Sequence, residues 1–172
     1  MSNQRIISLL RHKRHDWMNQ IQLIQGYASL GKQDKLLEQL DEIKEEAEQE
    51  RRLLNSQAAA FSIWLLSFNW TYSQYRLTFF MKDEVDLSSH DLDITAYGRR
   101  MIELMTEHNV EGELYEGSLH IYSSGSPGST GLSWEWEGQF KSLSELQKKL
   151  SHEGFIVSIF GERELSVEMT ID

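Results

Sequence analysis

Two long stretches of this chain repeat apolar residues every three to four positions, and only a three-residue turn separates them. Residues 5 to 29 and 35 to 54 read as helices, joined by Gly31-Lys32-Gln33, with Asp34 expected as the N-cap of the second. A connection this short makes the helices antiparallel neighbours. In the first, Ile7, Leu10, Trp17, Met18, Ile21, Ile24 and Ala28 gather on one side; in the second, Leu36, Leu40, Ile43, Ala47 and Leu54 do. One hairpin cannot hide two apolar stripes. Pairing with a second copy into a four-helix bundle closes them, so a homodimer is expected.

Ser8, Arg11, His12, His15, Asn19, Gln22 and Gly26 gather on another side of the first helix. His15 therefore lies in the middle of a polar stripe, away from the apolar one. An exposed imidazole on a rigid helix suits a phosphate acceptor or a proton carrier. Imidazole is a good nucleophile in its neutral form, which free imidazole side chains largely hold near neutral pH. Arg11, one turn before, is placed to neutralise phosphoryl oxygens. Asn19, one turn after, is placed to hydrogen-bond the phosphoryl group or an incoming protein. Asp16 sits about 100° around the helix, out of line with the ring but able to orient it or a partner. The bland readings are an ordinary surface histidine on a solvated face, or a metal site from His12, His15, Asp16 and Asn19 that lacks a remote ligand.

Charge is unevenly divided. Residues 1 to 55 carry nine basic and nine acidic side chains, whereas the other 117 carry eight and eighteen and so hold the whole formal charge of −10. Such a domain should repel nucleic acid and anionic membrane. The longest nearly apolar run, Ala58 to Phe68, is too short for a membrane span, which needs about 20 residues. With no cysteine and no signal-peptide pattern, a cytoplasmic address is expected.

Beyond Asn55-Ser56-Gln57 the texture changes, giving expected domains of 1–55 and 56–172. A compact helix is expected over Ala58 to Phe68 and a longer one over Asp91 to His108, with Ile94, Tyr97, Met101, Leu104 and Met105 toward a core. Strands are expected at Arg76–Phe80, Tyr115–Tyr122, Leu132–Trp136, Phe155–Phe160 and Leu165–Ile171, with a capping-box helix from Ser142 through Glu145 to His152. The fold class is α+β. Trp134 and Trp136, at strand spacing, suit core or sheet-surface positions; His90, His108, His120 and His152 show no converging spacing.

The run Arg14-His15-Asp16-Trp17-Met18-Asn19, followed by Ile21-Gln22-Leu23-Ile24, resembles the sporulation initiation phosphotransferase B family of endospore-forming bacilli. Phe68-Asn69-Trp70 and the closing strand look similar too. The resemblance implies that His15 is the phosphorylated residue, with Arg11, Asp16, Asn19 and Gln22 on the face where regulators dock. It implies a dimer that takes a phosphoryl group from the aspartate of one response regulator and passes it to that of a second, transcription-controlling one. It also implies a C-terminal α/β sandwich like a degenerate histidine-kinase ATP-binding domain, no cofactor of its own, and Mg²⁺ held by the regulator. An ATP-dependent kinase fragment is the main alternative and a non-catalytic dimerisation adaptor the other. The kinase would need an Asn-bearing helix and an Asp-x-Gly-x-Gly loop; Asn109 is only terminal to its helix, and the loop from Gly125 to Gly131 has no Asp.

Overall fold

The computed structural model describes residues 3–124 and 129–171. The chain divides into two compact units, Met1–Glu50 and Arg51–Asp172. The first is built from helix α1 (Asn3–Ser29) and the greater part of α2 (Gln33–Asn55). Between them Lys32 N–H bonds to Tyr27 O at 2.9 Å and Gly31 N–H to Ala28 O at 3.1 Å, with Gly31 at φ +65°. That is a Schellman ending, and the left-handed backbone is why glycine stands there. Asp34 is not the N-cap. The carbonyl of Lys32 accepts from Leu36 N–H at 3.0 Å, so the helix begins earlier and Asp34 falls in its first turn. A carboxylate there still favours the positive end of the helix dipole.

The side of α1 turned to α2 is not its apolar stripe. Leu9, Lys13, Asp16, Gln20, Ile24 and Tyr27 are the partly buried positions. Lys13 pairs with Glu50, and Gln20 donates to Glu46 at 2.9 Å. Most of the stripe is left open: Leu10 is 62% and Trp17 65% exposed.

The second unit is a five-stranded sheet with helices on one face. It contains α3 (Ala59–Leu66), α4 (Phe68–Thr71), β1 (Tyr75–Met81), α5 (Asp91–Glu107), β2 (Tyr115–Ser123), β3 (Thr130–Glu137), α6 (Leu143–His152), β4 (Ile156–Phe160) and β5 (Glu164–Ile171). The strand order is β1-β2-β3-β5-β4, with β1 parallel to β2 and all other pairs antiparallel. Alternate strand residues face the helices. Leu77, Leu119, Ile121, Leu132, Trp134, Trp136, Leu165 and Val167 form the buried layer, met by Phe61, Phe68, Ile94, Met101, Met105, Leu146 and Leu150. The expected α+β class, helical hairpin plus layered sheet, is what is found.

Local chemistry fixes the joints. The Asp91 carboxylate accepts from Ala60 N–H at 2.9 Å and Phe61 N–H at 2.7 Å, satisfying free donors at the start of α3. Asn69 lies along the outer edge of β1, accepting from Leu77 N–H at 2.8 Å and donating to Leu77 O at 3.1 Å. Its side-chain amide thus replaces a neighbouring strand.

Three readings need correction. Tyr97 meets the edge of Phe155 but is 39% exposed, so it lies at the rim of the core. Ser142 holds the N-cap position of α6 without a side-chain cap bond, and no capping box forms; Glu145 instead comes within 4.0 Å of His108. His108, whose place the sequence left open, is 5% exposed with Nδ1 2.9 Å from Leu104 O. Asn109 lies beyond the end of α5 and donates to Gln74 at 2.7 Å. Residues 125–128 of the glycine loop lie outside the described residues.

Candidate functional site

The site is built on α1, whose 3.6-residue turn brings residues four apart onto one line. His15 has a side chain 74% exposed. Asn19, one turn on, has its amide nitrogen 3.3 Å from His15 Nδ1. Asp16 Oδ1 lies 3.6 Å from the same nitrogen, closer than its angular offset on the helix led us to expect. Arg11 and Gln22 are exposed on the same side and make no hydrogen bond or ion pair among the described residues. His12 is turned back along the helix, with Nδ1 2.9 Å from Ser8 O.

Both neighbours of the imidazole engage Nδ1, and they ask opposite things of it. Donation from the Asn19 amide requires a bare Nδ1, which puts the proton on Nε2. The Asp16 carboxylate favours a proton on Nδ1, which leaves the Nε2 lone pair free. At 3.6 Å the Asp16 approach is electrostatic, longer than a hydrogen bond. Nε2 has no partner among the described residues and faces solvent with the rest of the ring. The arrangement is an exposed imidazole whose tautomer two adjacent groups can set.

Metal chemistry finds no comparable support. Among the described residues no three His, Asp or Glu side chains converge on a point where an ion could sit. No helix among them is long and apolar enough to cross a membrane.

Residues 1–56 match the family described as sensor kinase SpoOB-type, alpha-helical domain. The chain is also 36% identical over 100 residues to sporulation initiation phosphotransferase B of Bacillus subtilis (strain 168), covering 58% of this chain and 49% of that protein. It thus spans about half the length of the curated relative it matches. Because 100 residues exceed the length of the SpoOB-type hairpin, the likeness runs on into the second unit. The histidine kinase domain from Erythrobacter litoralis EL346 blue-light activated histidine kinase aligns with a TM-score of 0.42 and 14% identity, over 67% of this chain and 64% of its own. The resemblance noted around His15 falls within the residues that match the SpoOB-type description.

Proposed function

We propose that the chain is a phosphohistidine carrier in a sporulation phosphorelay, moving a phosphoryl group between the aspartates of two response regulators through His15. The observation that carries this reading is an imidazole 74% exposed on a SpoOB-type helix, with Nε2 unobstructed and Nδ1 flanked by Asp16 and Asn19. In the forward step the Nε2 lone pair attacks the phosphorus of an aspartyl phosphate. The N–P bond forms as the acyl O–P bond breaks and the regulator's carboxylate leaves. The phosphorylated ring is cationic until the Nδ1 proton is shared with Asp16 or lost to water. The second regulator's carboxylate then attacks the phosphorus as a proton returns to Nδ1 from Asp16 or water, and the N–P bond breaks to release neutral imidazole. Positioning and charge stabilisation supply most of the catalysis in such a transfer. Arg11 supplies positive charge at the docking face, and Mg²⁺ is carried by the regulator.

The working unit is a homodimer in the cytoplasm, closed through the apolar stripe of α1. Ile6, Ile7, Leu10, Trp17, Met18 and Ile21, each 44% or more exposed, support this, since single hairpins rarely leave so continuous an apolar face to water. The C-terminal layer serves without nucleotide. Asn109, tied to Gln74, is not presented for an ATP-bound ion.

The test is transfer from a radiolabelled, phosphorylated regulator. Acid-labile, alkali-stable label on His15 is expected, absent in His15→Ala and slowed in Asn19→Ala with helicity unchanged. Full transfer by His15→Ala would overturn the reading.

A further inference from the structure

The sheet has a second face, and among the described residues no helix of its own unit packs on it. Register places its outward side chains in rows that run across all five strands. One row is Arg76, Glu116, Glu137, Glu164 and Phe160; the next is Thr78, Ser118, Glu135, Ser166 and Ser158; a third is Phe80, His120, Ser133, Glu168 and Ile156. Glu116, Glu137 and Glu164 are thus direct cross-strand neighbours, an arrangement that costs stability because like charges stand opposite one another. None of the five glutamates on this face makes an ion pair among the described residues. Arg76, at the end of the first row, donates to the carbonyls of Tyr72, Ser73 and Tyr75.

Two independent features accompany the charge. Phe80, Ile156 and Phe160 lie at the ends of these rows and are 44%, 64% and 59% exposed, whereas on the helix-covered face Phe79, Val157 and Ile159 of the same edge strands are partly buried against the core. A groove of about 460 Å³ also runs between Glu116, Glu135, Glu137, Glu164 and Phe160. Repulsive carboxylates beside open aromatic and aliphatic groups are unfavourable in the isolated unit, and a cationic, partly apolar partner relieves both at once.

We propose that this face docks an extended cationic segment of a partner protein, two basic side chains meeting the glutamate row and an apolar one meeting Phe160. The spacing fits. Strands lie about 4.8 Å apart, so the row from Glu116 to Phe160 spans about 14 Å, close to the span of residues i to i+4 in an extended chain at about 3.4 Å each. Alternate residues of such a segment face the sheet, which gives the pattern Lys-x-Lys-x-Leu. This surface does not depend on His15, and its occupancy is separable from phosphotransfer.

The probe is the peptide Ser-Lys-Ser-Lys-Ser-Leu-Ser, titrated into the full-length ¹⁵N-labelled chain at low ionic strength, with the Glu-for-Lys peptide as control. Saturable shifts confined to backbone amides of β2, β3, β5 and β4 are expected below about 1 mM peptide, weakening with salt. The triple variant Glu116→Gln, Glu137→Gln, Glu164→Gln should lose at least tenfold in affinity. A charge-matched triple elsewhere, Glu38→Gln, Glu42→Gln, Glu111→Gln, should lose less than twofold. Phe160→Ala should weaken binding while leaving its salt dependence intact. Equal loss in the two triples, shifts spread over the whole surface, or no binding by the parent chain would each overturn the proposal.

Discussion

Truncating Trp17 to alanine should weaken the proposed homodimer without unfolding its protomers. Trp17 is 65% exposed on the α1 stripe. An aromatic side chain of this kind offers about 150–250 Å² to burial, so about 130 Å² is available to a partner. At about 25 cal/mol per Å², full coverage is worth ~3 kcal/mol per protomer, and a two-fold interface counts it twice. If half of that area is covered, the loss is ~3 kcal/mol per dimer, a rise of about two powers of ten in the dissociation constant. Leu23→Ala is the matched control. Leu23 is 48% exposed, yet lies about 120° around the helix from Trp17, on the side nearer His15. Sedimentation equilibrium over a wide concentration range reads both variants, with circular dichroism to confirm helicity. A Trp17→Ala protein that dimerises as tightly as the parent, or a Leu23→Ala protein that dissociates equally, would refute the assignment of faces.

Two further outcomes concern the sheet unit. Gly117→Ala should lower stability by about 1–3 kcal/mol, because an added Cβ would lie 2.5 Å from the ring of Trp136, itself only 2% exposed; denaturant titration with an unchanged slope checks it. Burial raises the Tyr75 pKa above its ordinary value, the hydrogen bond with Thr106 opposing the rise. The unfolded chain therefore releases this proton first, so stability should fall as pH climbs from about 10 through the folded value, and Tyr75→Phe should reduce that alkaline loss in urea unfolding.

Sequence made the hairpin legible because two long helical periods met at a turn too short for any other connection. It made the strands legible because their apolar residues alternate, as Leu132, Trp134 and Trp136 do beside Ser133 and Glu135. Strand order was not legible. Nothing in the chain near Leu165 announces that β5 lies between β3 and β4, because pairing is a long-range choice among similar strands. The glutamate row was hidden for the same reason. Glu116, Glu137 and Glu164 are far apart in sequence, and only the register makes them neighbours. His108 escaped notice because burial of a histidine at a helix end depends on what packs over it. Asp16 stood nearer the imidazole than its helical angle suggested, since a flexible carboxylate can bend toward a ring one residue away.

The polar seam between α1 and α2 explains why His15 stands where it does. A helix in a bundle has room for about three faces. Lys13 with Glu50 and Gln20 with Glu46 take one, holding α2 through charge and hydrogen bonds rather than apolar burial. One half-exposed ion pair and one side-chain hydrogen bond contribute modestly to stability, and the apolar second face takes no part in this seam. Leu10, Trp17 and Ile21 supply that face. The third is what remains, and it contains Arg11, His15, Asn19 and Gln22. A histidine moved two positions along would enter the stripe, and one moved a single position would approach the seam. Within the run of residues 14 to 18, position 15 is the one that lies clear of both the seam and the stripe.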